Sequence, residues 1–479
     1  MDTMKHGLRE AGLAAAVLGL VVACGGGGGA GIAGIDRLGV SSGTISGFGS
    51  IIVGGVRYDT DNADFDINDG PGSQASLKVG QQVTIRWESP DNGTTRRAQS
   101  VSHDTLLEGP VASINATAGT LVVLGQAVIV DAATSIGNGI VPRDLTGLSV
   151  GDVVEVSGLI DGHGAIRATR IDLSDDVNEF EVHGTVESLD TLGRTFVING
   201  LTVDYAGAIN PPALVNGKTV EVEGNAFSAG TLTATKVEIE DDHLAGAEDG
   251  DDGELEGYIT SFVSATNFSV AGIAVTTNGQ TTYEDGVVGD LVLNARVEVE
   301  GEVNSAGVLV ARKVEFESED NDADGKVEGD VSAVNTGAGT LTIAGVAISV
   351  TGTTRFEDQT SVAGQSFALA DVAVGNYVEV RGIPGSGATL TAVVLERDGA
   401  DDEGSIRGPA SAIDGAARTL SVLGVPVITD AGTQYRDAND GVIDAATFFS
   451  AISVGSSVEV EFTQGGGTIV ADELQLDDD

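Results

Sequence analysis

The 479-residue sequence is poor in three kinds of residue, and each shortage excludes a class of protein. A single Cys excludes an intrachain disulfide and a cysteine metal cluster. Only 24 Lys and Arg accompany 72 Asp and Glu, so the formal net charge is −48. A chain this acidic repels phosphate backbones, which excludes ordinary nucleic-acid binding. Aromatic residues make up 4% of the chain, too few for the aromatic girdles of an outer-membrane barrel, and its strands are expected to carry Glu on the outside.

The sequence also lacks long apolar runs, and the apolar run near the N-terminus is short. Lys5 and Arg9 precede an uncharged run of eleven residues, 13–23, which is too short for a bilayer of about 30 Å but suits a signal peptide. The run ends at the only Cys, Cys24, as in a bacterial lipobox, and a Gly-rich segment follows. We therefore expect a lipid on Cys24, cleavage before it, and anchoring in the bacterial cell envelope, with the outer membrane favoured because Gly25 follows the Cys. A plain secretory signal with an incidental Cys is the alternative.

What the sequence does contain is a repeat. A strand-like segment of the type Val-Glu-Val begins at residues 83, 154, 220, 297, 378 and 458, so its copies are 66 to 81 residues apart. A segment of the type Gly-Thr-Leu-x-Val-x-Gly precedes the copies, and an opening Gly-x-Val segment starts the units. Six copies at such a period indicate a tandem array of small domains.

Each unit has the polarity of exposed β-strands. In Val237-Glu238-Ile239-Glu240, for example, apolar and acidic residues alternate with a period of two. Three strands, a crossover segment and two further strands in each unit give the strand order of an OB-fold. We predict an all-β chain of about six small five-stranded OB-like barrels, with an open meander or sandwich as the alternative. The units should fold semi-independently and follow one another as a string, with extended joints between them.

This reading divides the chain into eleven segments. They are a signal peptide at 1–23, a Gly-rich tether at 24–40, repeats at 41–104, 105–177, 178–241, 254–317, 326–397 and 404–479, and acidic linkers at 242–253, 318–325 and 398–403.

The lipobox, the tether, the segment 47–60 and the recurring Val-Gly-Asp-x-Val-Glu-Val together resemble a bacterial family of repeat lipoproteins. In segment 47–60 the resemblance rests on Gly-Phe-Gly-Ser-Ile-Ile-Val-x-Gly-Val-Arg-Tyr-Asp-Thr. The family is catalogued only as a domain of unknown function. The resemblance implies small β-barrel repeats and an envelope location, and it supplies no catalytic residues.

Signals of catalysis are weak in this sequence. The four His after the signal peptide, at 103, 163, 183 and 243, lie in different units or linkers, so sequence proximity gathers no two of them into one site. Carboxylate pairs are uninformative where acids are so frequent. We therefore expect a protein that is not an enzyme.

One acidic linker contains part of a calcium-binding motif. Asp320, Asp322 and Asp324 precede Gly325 with the spacing of a calcium loop, and Glu328 is a further candidate ligand. Val331 stands at the twelfth position, where such loops carry a Glu, so we expect at most a weak calcium site. A solvated linker without metal is the alternative.

The sequence therefore predicts a lipid-anchored, non-catalytic binding or structural module with no cofactor except, at most, calcium. Its contacts would be the membrane, through the lipid, and a protein or polysaccharide partner. Two other functions stay open: a calcium-dependent adhesive or stalk with metal at its acidic linkers, and a glycan-binding protein or envelope enzyme.

Overall fold

A computed structural model describes most of the chain after the first 36 residues. The described ranges are 37–48, 50–89, 96–131, 133–174, 176–240, 244, 247–317, 325–360, 367–437, 441–465 and 468–476. The predicted signal peptide, Cys24 and the three aspartates of the calcium motif lie outside them. No helix within these ranges has the length and apolar character needed to cross a membrane.

The described residues form six β-barrel repeats in chain order. The strands of repeats 1 and 2 are β1 (Arg37–Gly47), β2 (Ile51–Val53), β3 (Val56–Asp59), β4 (Asp64–Ile67), β5 (Gly70–Pro71), β6 (Gln82–Ser89) and β7 (Arg96–His103), then β8 (Leu107–Asn115), β9 (Thr120–Val123), β10 (Gln126–Ile129), β11 (Ser135–Ile136), β12 (Val153–Ile160) and β13 (Ile166–Leu173).

Repeats 3 and 4 continue the series in the same manner. Their strands are β14 (Phe180–Thr185), β15 (Glu187–Asp190), β16 (Thr195–Ile198), β17 (Leu201–Asp204), β18 (Thr219–Ser228) and β19 (Thr231–Ile239), then β20 (Asp252–Ser264), β21 (Asn267–Val270), β22 (Ile273–Thr276), β23 (Thr282–Glu284), β24 (Arg296–Val303) and β25 (Leu309–Phe316).

Repeats 5 and 6 complete the series of barrels. Their strands are β26 (Gly325–Asn335), β27 (Thr340–Ile343), β28 (Val346–Asp358), β29 (Tyr377–Pro384) and β30 (Thr389–Arg397), then β31 (Glu403–Asp414), β32 (Thr419–Val422), β33 (Val425–Ile428), β34 (Gln434–Arg436), β35 (Ser457–Thr463), β36 (Ile469–Val470) and β37 (Glu473–Leu476).

Every repeat closes into a barrel with the strand order first, second, third, fifth, fourth and back to the first. In repeat 5, β26, β27 and β28 pair antiparallel in sequence, β28 pairs with β30 in parallel, and β29 joins β30 to β26. The other five repeats have the same closure, although a short break divides one or two strands in most of them. The prediction of six OB-like barrels is confirmed, and closure removes the free edges of six small sheets.

The alternating pattern explains the core of each barrel. In the fourth strand of repeat 5, Val378 and Val380 are fully buried while Glu379 between them points away from the barrel interior. A crossover turn precedes the fourth strand in five repeats. It is a 3-10 turn at Gln74–Ser76, Leu145–Gly147, Val288–Asp290 and Leu369–Asp371, and in repeat 6 it is the helix α1 (Ala445–Ala451).

The repeats do not form a string of separate barrels, which corrects that prediction. The first strands of neighbouring barrels pair with one another: β8 with β14 and β26 with β31 run antiparallel, and β1 with β20 runs parallel. Repeats 2 and 3, 5 and 6, and 1 and 4 therefore share continuous sheets. Strand pairing, which the local sequence of one unit does not reveal, holds the acidic repeats together.

Strands also begin within the predicted tether and within each of the three predicted acidic linkers. The strand β1 starts at Arg37, before the predicted end of the tether, and β20 starts at Asp252 inside the first acidic linker. Asp252 is taken into the sheet because Arg37 and Arg312 both bind its carboxylate, at 3.4 and 2.6 Å.

Candidate functional site: the polar junctions between repeats

The outer faces of the barrels, which carry the alternating polar residues, pack against one another between repeats. Arg170 on β13 of repeat 2 shows the pattern, since its exposed fraction is only 4%. Its guanidinium donates to the Val79 carbonyl of repeat 1 at 2.9 Å, to Glu357 of repeat 5 at 3.1 Å and to Asp172 at 2.5 Å. Burial alone would raise the pKa of Asp172, but Arg170 holds it below its usual range. One cation thus connects three repeats.

Repeats 2 and 5 meet through further arginines. Arg355 donates to the Ala133 carbonyl at 2.5 Å, and Arg381 donates to the Thr134 carbonyl at 2.8 Å. Arg143 of repeat 2 donates to Glu396 of repeat 5 at 3.0 Å. Because these guanidinium groups find backbone carbonyls and carboxylates as partners, the junction buries charge without leaving it unpaired.

A cleft of about 620 Å³ lies where repeats 1, 2, 3 and 4 come together. Three histidines line it: His103 at the end of β7, His163 in the turn between β12 and β13, and His183 on β14. Sequence proximity gathers no two of these His, but the contacts between repeats bring three of them to one cleft. His243 lies outside the described residues.

His183 is held between two carboxylates. Its Nε2 lies 2.7 Å from Oε1 of Glu181, and its Nδ1 lies 2.9 Å from Oε2 of Glu240. Burial lowers the pKa of His183, but the two carboxylates more than offset this and raise it well above the usual value. The imidazolium is therefore a buried cation that joins the start of repeat 3 to its end, and both of its nitrogens are occupied.

His103 lies in the same cleft, but its pKa is shifted in the opposite direction. Its Nδ1 lies 2.8 Å from the Gln82 carbonyl, and its exposed fraction is 3%. Burial lowers the pKa of His103 to about 4, so the ring is neutral at pH 7. Burial also raises the pKa of the neighbouring Asp104 to about 6. The cleft therefore combines a charged His, a neutral His and a carboxyl that takes up a proton near neutral pH.

An acidic cluster beside this cleft has the spacing of a metal site. The carboxylates of Asp69, Glu221 and Glu238 converge to within 4.8 Å of one another. Lys236 already occupies their centre, with Nζ paired to Asp69 and lying 3.5 Å from Glu221 and 3.4 Å from Glu238. The lysine ammonium supplies the positive charge that a metal would bring.

Of the four residues predicted to bind calcium, only Glu328 is described. It lies on β26, where Lys326 Nζ is 3.2 Å from its carboxylate and Ser405 of repeat 6 donates to it at 3.4 Å. Glu328 thus takes part in the contact between repeats 5 and 6. Calcium binding by Asp320, Asp322 and Asp324 stays a prediction.

The second and third strands of the barrels differ from the other strands in the residues that point outward. In repeats 2 to 6, the outward residues of the second strand and of the first four residues of the third strand are almost all neutral, and one of the twenty is charged, Asp204. They are Thr120, Val122, Ala127, Ile129, Thr195, Val197, Thr202, Asp204, Asn267, Ser269, Ala274, Thr276, Thr340, Thr342, Ala347, Ser349, Thr419, Ser421, Pro426 and Ile428. We call this surface of each repeat its neutral face. The alternation of residues along these strands carries the same pattern in the sequence.

Comparison with known proteins gives a family and few relatives. A family model described as "Domain of unknown function (DUF5666)" matches residues 108–172, 174–238, 256–315, 328–396 and 407–475, about two thirds of the chain. No curated protein matches. Among solved structures, "drosophila Unr CSD456" is 16% identical, with 45% of this chain and 98% of that chain covered and a TM-score of 0.13. The matched segments are repeats 2 to 6, and repeat 1 shares their strand order.

Proposed function

Since the chain belongs to the family built from the DUF5666 domain of unknown function, we propose that it is a non-catalytic interaction protein of the bacterial cell envelope. In this proposal a lipid on Cys24 anchors it, and the repeats present their neutral faces to a partner. The observation that carries the proposal is the neutral face itself, which recurs in five repeats of a chain whose net charge is −48.

The neutral face supports binding because it lies where OB-like barrels recognise ligands. Such barrels use the outer surface of their second and third strands together with adjacent loops. In this chain the remaining barrel strands carry Glu outward, as in Glu155, Glu300 and Glu459. A partner that approaches the neutral face avoids burying these carboxylates, which would be costly without paired cations.

The chemistry of the face narrows the class of partner. It has no Lys or Arg for phosphates and no aromatic ring on which bases or sugars could stack, whereas single-stranded nucleic acids are held by such groups. Thr, Ser, Ala and Val form a flat surface suited to another protein surface. A protein partner is therefore favoured over a polysaccharide, and nucleic acid is excluded on charge.

Anchoring is tested by removing the acylated residue. Cys24→Ser should move the protein from the membrane fraction of a Gram-negative host to the soluble fraction. A matched control is Ser46→Cys with Cys24→Ser, which restores a thiol away from the lipobox and should stay soluble. If Cys24→Ser remains in the membrane fraction at the wild-type level, the lipid anchor is not the means of attachment.

Binding by the neutral face is tested by photo-crosslinking in living cells. A photoreactive amino acid at Ser421 on the neutral face of repeat 6 should give a discrete adduct in the envelope. The matched position is Glu461 on the acidic face of the same repeat, where we expect none. Equal adducts at both positions, or none at Ser421 and at the equivalent Thr342, would contradict the role of this face.

A further inference from the structure

The turn between the second and third strands differs in repeat 1 from its counterparts. In the other repeats its first residue has a positive φ of 47° to 49° without being Gly: these residues are Leu124, Asn199, Ala271, Ala344 and Leu423. In repeat 1 the turn is Gly54-Gly55, with a φ of 55° at Gly54. Because Ala and Leu adopt this backbone conformation elsewhere in the chain, the conformation alone does not require Gly at position 54.

The surroundings of Gly54 explain the missing side chain. A Cβ on Gly54 would lie 2.9 Å from Oε1 of Glu254 and 3.2 Å from each carboxylate oxygen of Glu298. Three carboxylate oxygens of repeat 4, from β20 and β24, therefore converge on one point beside a turn of repeat 1. The exposed fractions of Glu254 and Glu298 are 5% and 6%.

One of these oxygens is buried without a partner. Arg96, Tyr58 and Ser41 all bind Oε2 of Glu254, the last two at 3.3 Å. Its Oε1, which points toward Gly54, is buried and accepts no hydrogen bond. A buried carboxylate oxygen in that state is costly unless a ligand satisfies it.

The charges around Glu298 leave it without a cation from the protein. Glu256 beside it is matched by Arg296 at 2.8 Å, and Lys313 binds Glu300 at 2.6 Å and Glu315 at 3.0 Å. Glu298 itself makes no ion pair or hydrogen bond within the described ranges of the chain. Burial and then the nearby Glu254, Glu256 and Glu317 raise the pKa of its carboxyl to about 9.

We propose that Glu254 and Glu298 bind a divalent cation of the calcium type at the point beside Gly54, where the turn of repeat 1 meets the sheet of repeat 4. Glu298 and the Oε1 atom of Glu254, whose Oε2 pairs with Arg96, supply anionic oxygens, and calcium accepts oxygen ligands in flexible geometry. The ion satisfies Oε1 of Glu254, neutralises Glu298 and connects two repeats that are distant in sequence. The site is separate from the acidic linker motif at 320–328.

The only tryptophan of the chain makes this site directly observable. Trp87 Nε1 donates to Ser41 Oγ at 2.9 Å, and Ser41 Oγ in turn donates to Glu254. Terbium, a luminescent stand-in for calcium, emits under tryptophan excitation only when it binds close to the indole. Terbium on the many other carboxylates therefore contributes little to the sensitised signal.

The experiment is a terbium titration of the folded protein after chelator treatment, followed by displacement with calcium. Saturable sensitised emission should appear in the wild type and fall as calcium is added. Glu298→Gln and Gly54→Ala should each weaken apparent terbium affinity by about tenfold or more. Glu298→Gln removes a carboxylate ligand, and Gly54→Ala places a methyl group at the proposed cation position. Glu300→Gln, the next outward position on β24, is the matched control and should bind as the wild type does.

Circular dichroism and thermal melts confirm that the variants are folded, which Gly54→Ala requires because its Cβ would lie 2.9 Å from Oε1 of Glu254. Gln keeps the shape of Glu, and Ala occupies the equivalent turn position in repeats 4 and 5. If the wild type gives no saturable sensitised emission, or if folded Glu298→Gln retains it, Glu298 carries a proton and the cation site does not exist.

Discussion

The interior of each barrel and the interior between the barrels are both buried, yet they are made of opposite kinds of residue. Inside the barrels, side chains such as Ile348, Val380 and Phe196 are fully buried and apolar. Between the barrels, Arg170, Arg355 and Glu396 are buried to a similar degree and charged. The first interior gains free energy from removing apolar surface from water, at about 25 cal/mol per Å².

The interior between the barrels depends on the pairing of opposite charges and of hydrogen-bonding groups. Its charges lose hydration, and their ion pairs and hydrogen bonds recover that cost, so the net gain is small while the loss of one partner is severe. The barrels are therefore the source of stability. The junctions decide which barrel contacts which, and they also carry the cleft and the proposed cation site. Four predictions test this division, from the largest expected effect to the smallest.

Truncating a barrel core should have the largest effect. Phe196 is fully buried in repeat 3, and its ring centroid lies 5.7 Å from that of Tyr205. Phe196→Ala should lower the free energy of unfolding by about 3–5 kcal/mol, because it removes apolar contacts and leaves a cavity. Chemical denaturation at low and high salt measures this, and the loss should be the same in both. Phe262→Ala is the control, since Phe262 is 38% exposed, and it should cost under about 1 kcal/mol.

Removing one charge from a junction should come next. Arg170→Met leaves Asp172, Glu357 and the Val79 carbonyl without their shared donor, so we expect a loss of about 3 kcal/mol. Arg37→Met is the matched control because Arg37 is 56% exposed in its ion pair with Asp252, and such a pair contributes under about 1 kcal/mol. Thermal melts of both variants decide the matter. Equal losses would mean that the buried junction is no more sensitive to an unpaired charge than the surface is.

The junctions, but not the barrel cores, should respond to pH. Burial raises the pKa of Glu108 to about 7, of Glu221 to about 7 and of Glu298 to about 9. The folded protein keeps protons that the unfolded chain releases near pH 4.5, so the stabilisation is present below that pH and is lost as pH rises through 7 to 9. His103, with its pKa lowered to about 4, opposes this only below pH 6.5.

The melting temperature should therefore fall by several degrees from pH 6.5 to pH 9 in chelated, metal-free buffer. The penalty of Phe196→Ala should be the same at both pH values. A melting temperature that rises over this interval would show that these carboxyls are not held protonated in the folded state.

The sequence was a good guide to the barrels and a poor one to the junctions, for a physical reason. Alternation in segments such as Val237-Glu238-Ile239-Glu240 predicts which side chains enter a barrel, because a strand has only two faces. It says nothing about what the outward Glu meets. Arg170 contacts residues 91 and 187 positions away, and His183 shares a cleft with His103 because repeats 1 and 3 both border it. Gly54 stands within the segment 47–60, but only the fold shows why it lacks a Cβ.

The smallest effect should come from replacing Val by Ser at equivalent positions of two repeats, one position buried and the other exposed. The residue before the Gly of the turn that precedes the fourth strand is Val79 in repeat 1 and Val374 in repeat 5, with exposed fractions of 3% and 66%. Val79 belongs to the apolar core of repeat 1, and its turn also lies against Thr169 and Arg170 of repeat 2. Val79→Ser should cost about 1–3 kcal/mol in denaturant unfolding, since it puts a hydroxyl into a packed apolar core. Val374→Ser should cost less than about 0.5 kcal/mol, because water already reaches that side chain. If the two changes cost the same, the turn of repeat 1 at Val79 is not packed in solution as the structure has it.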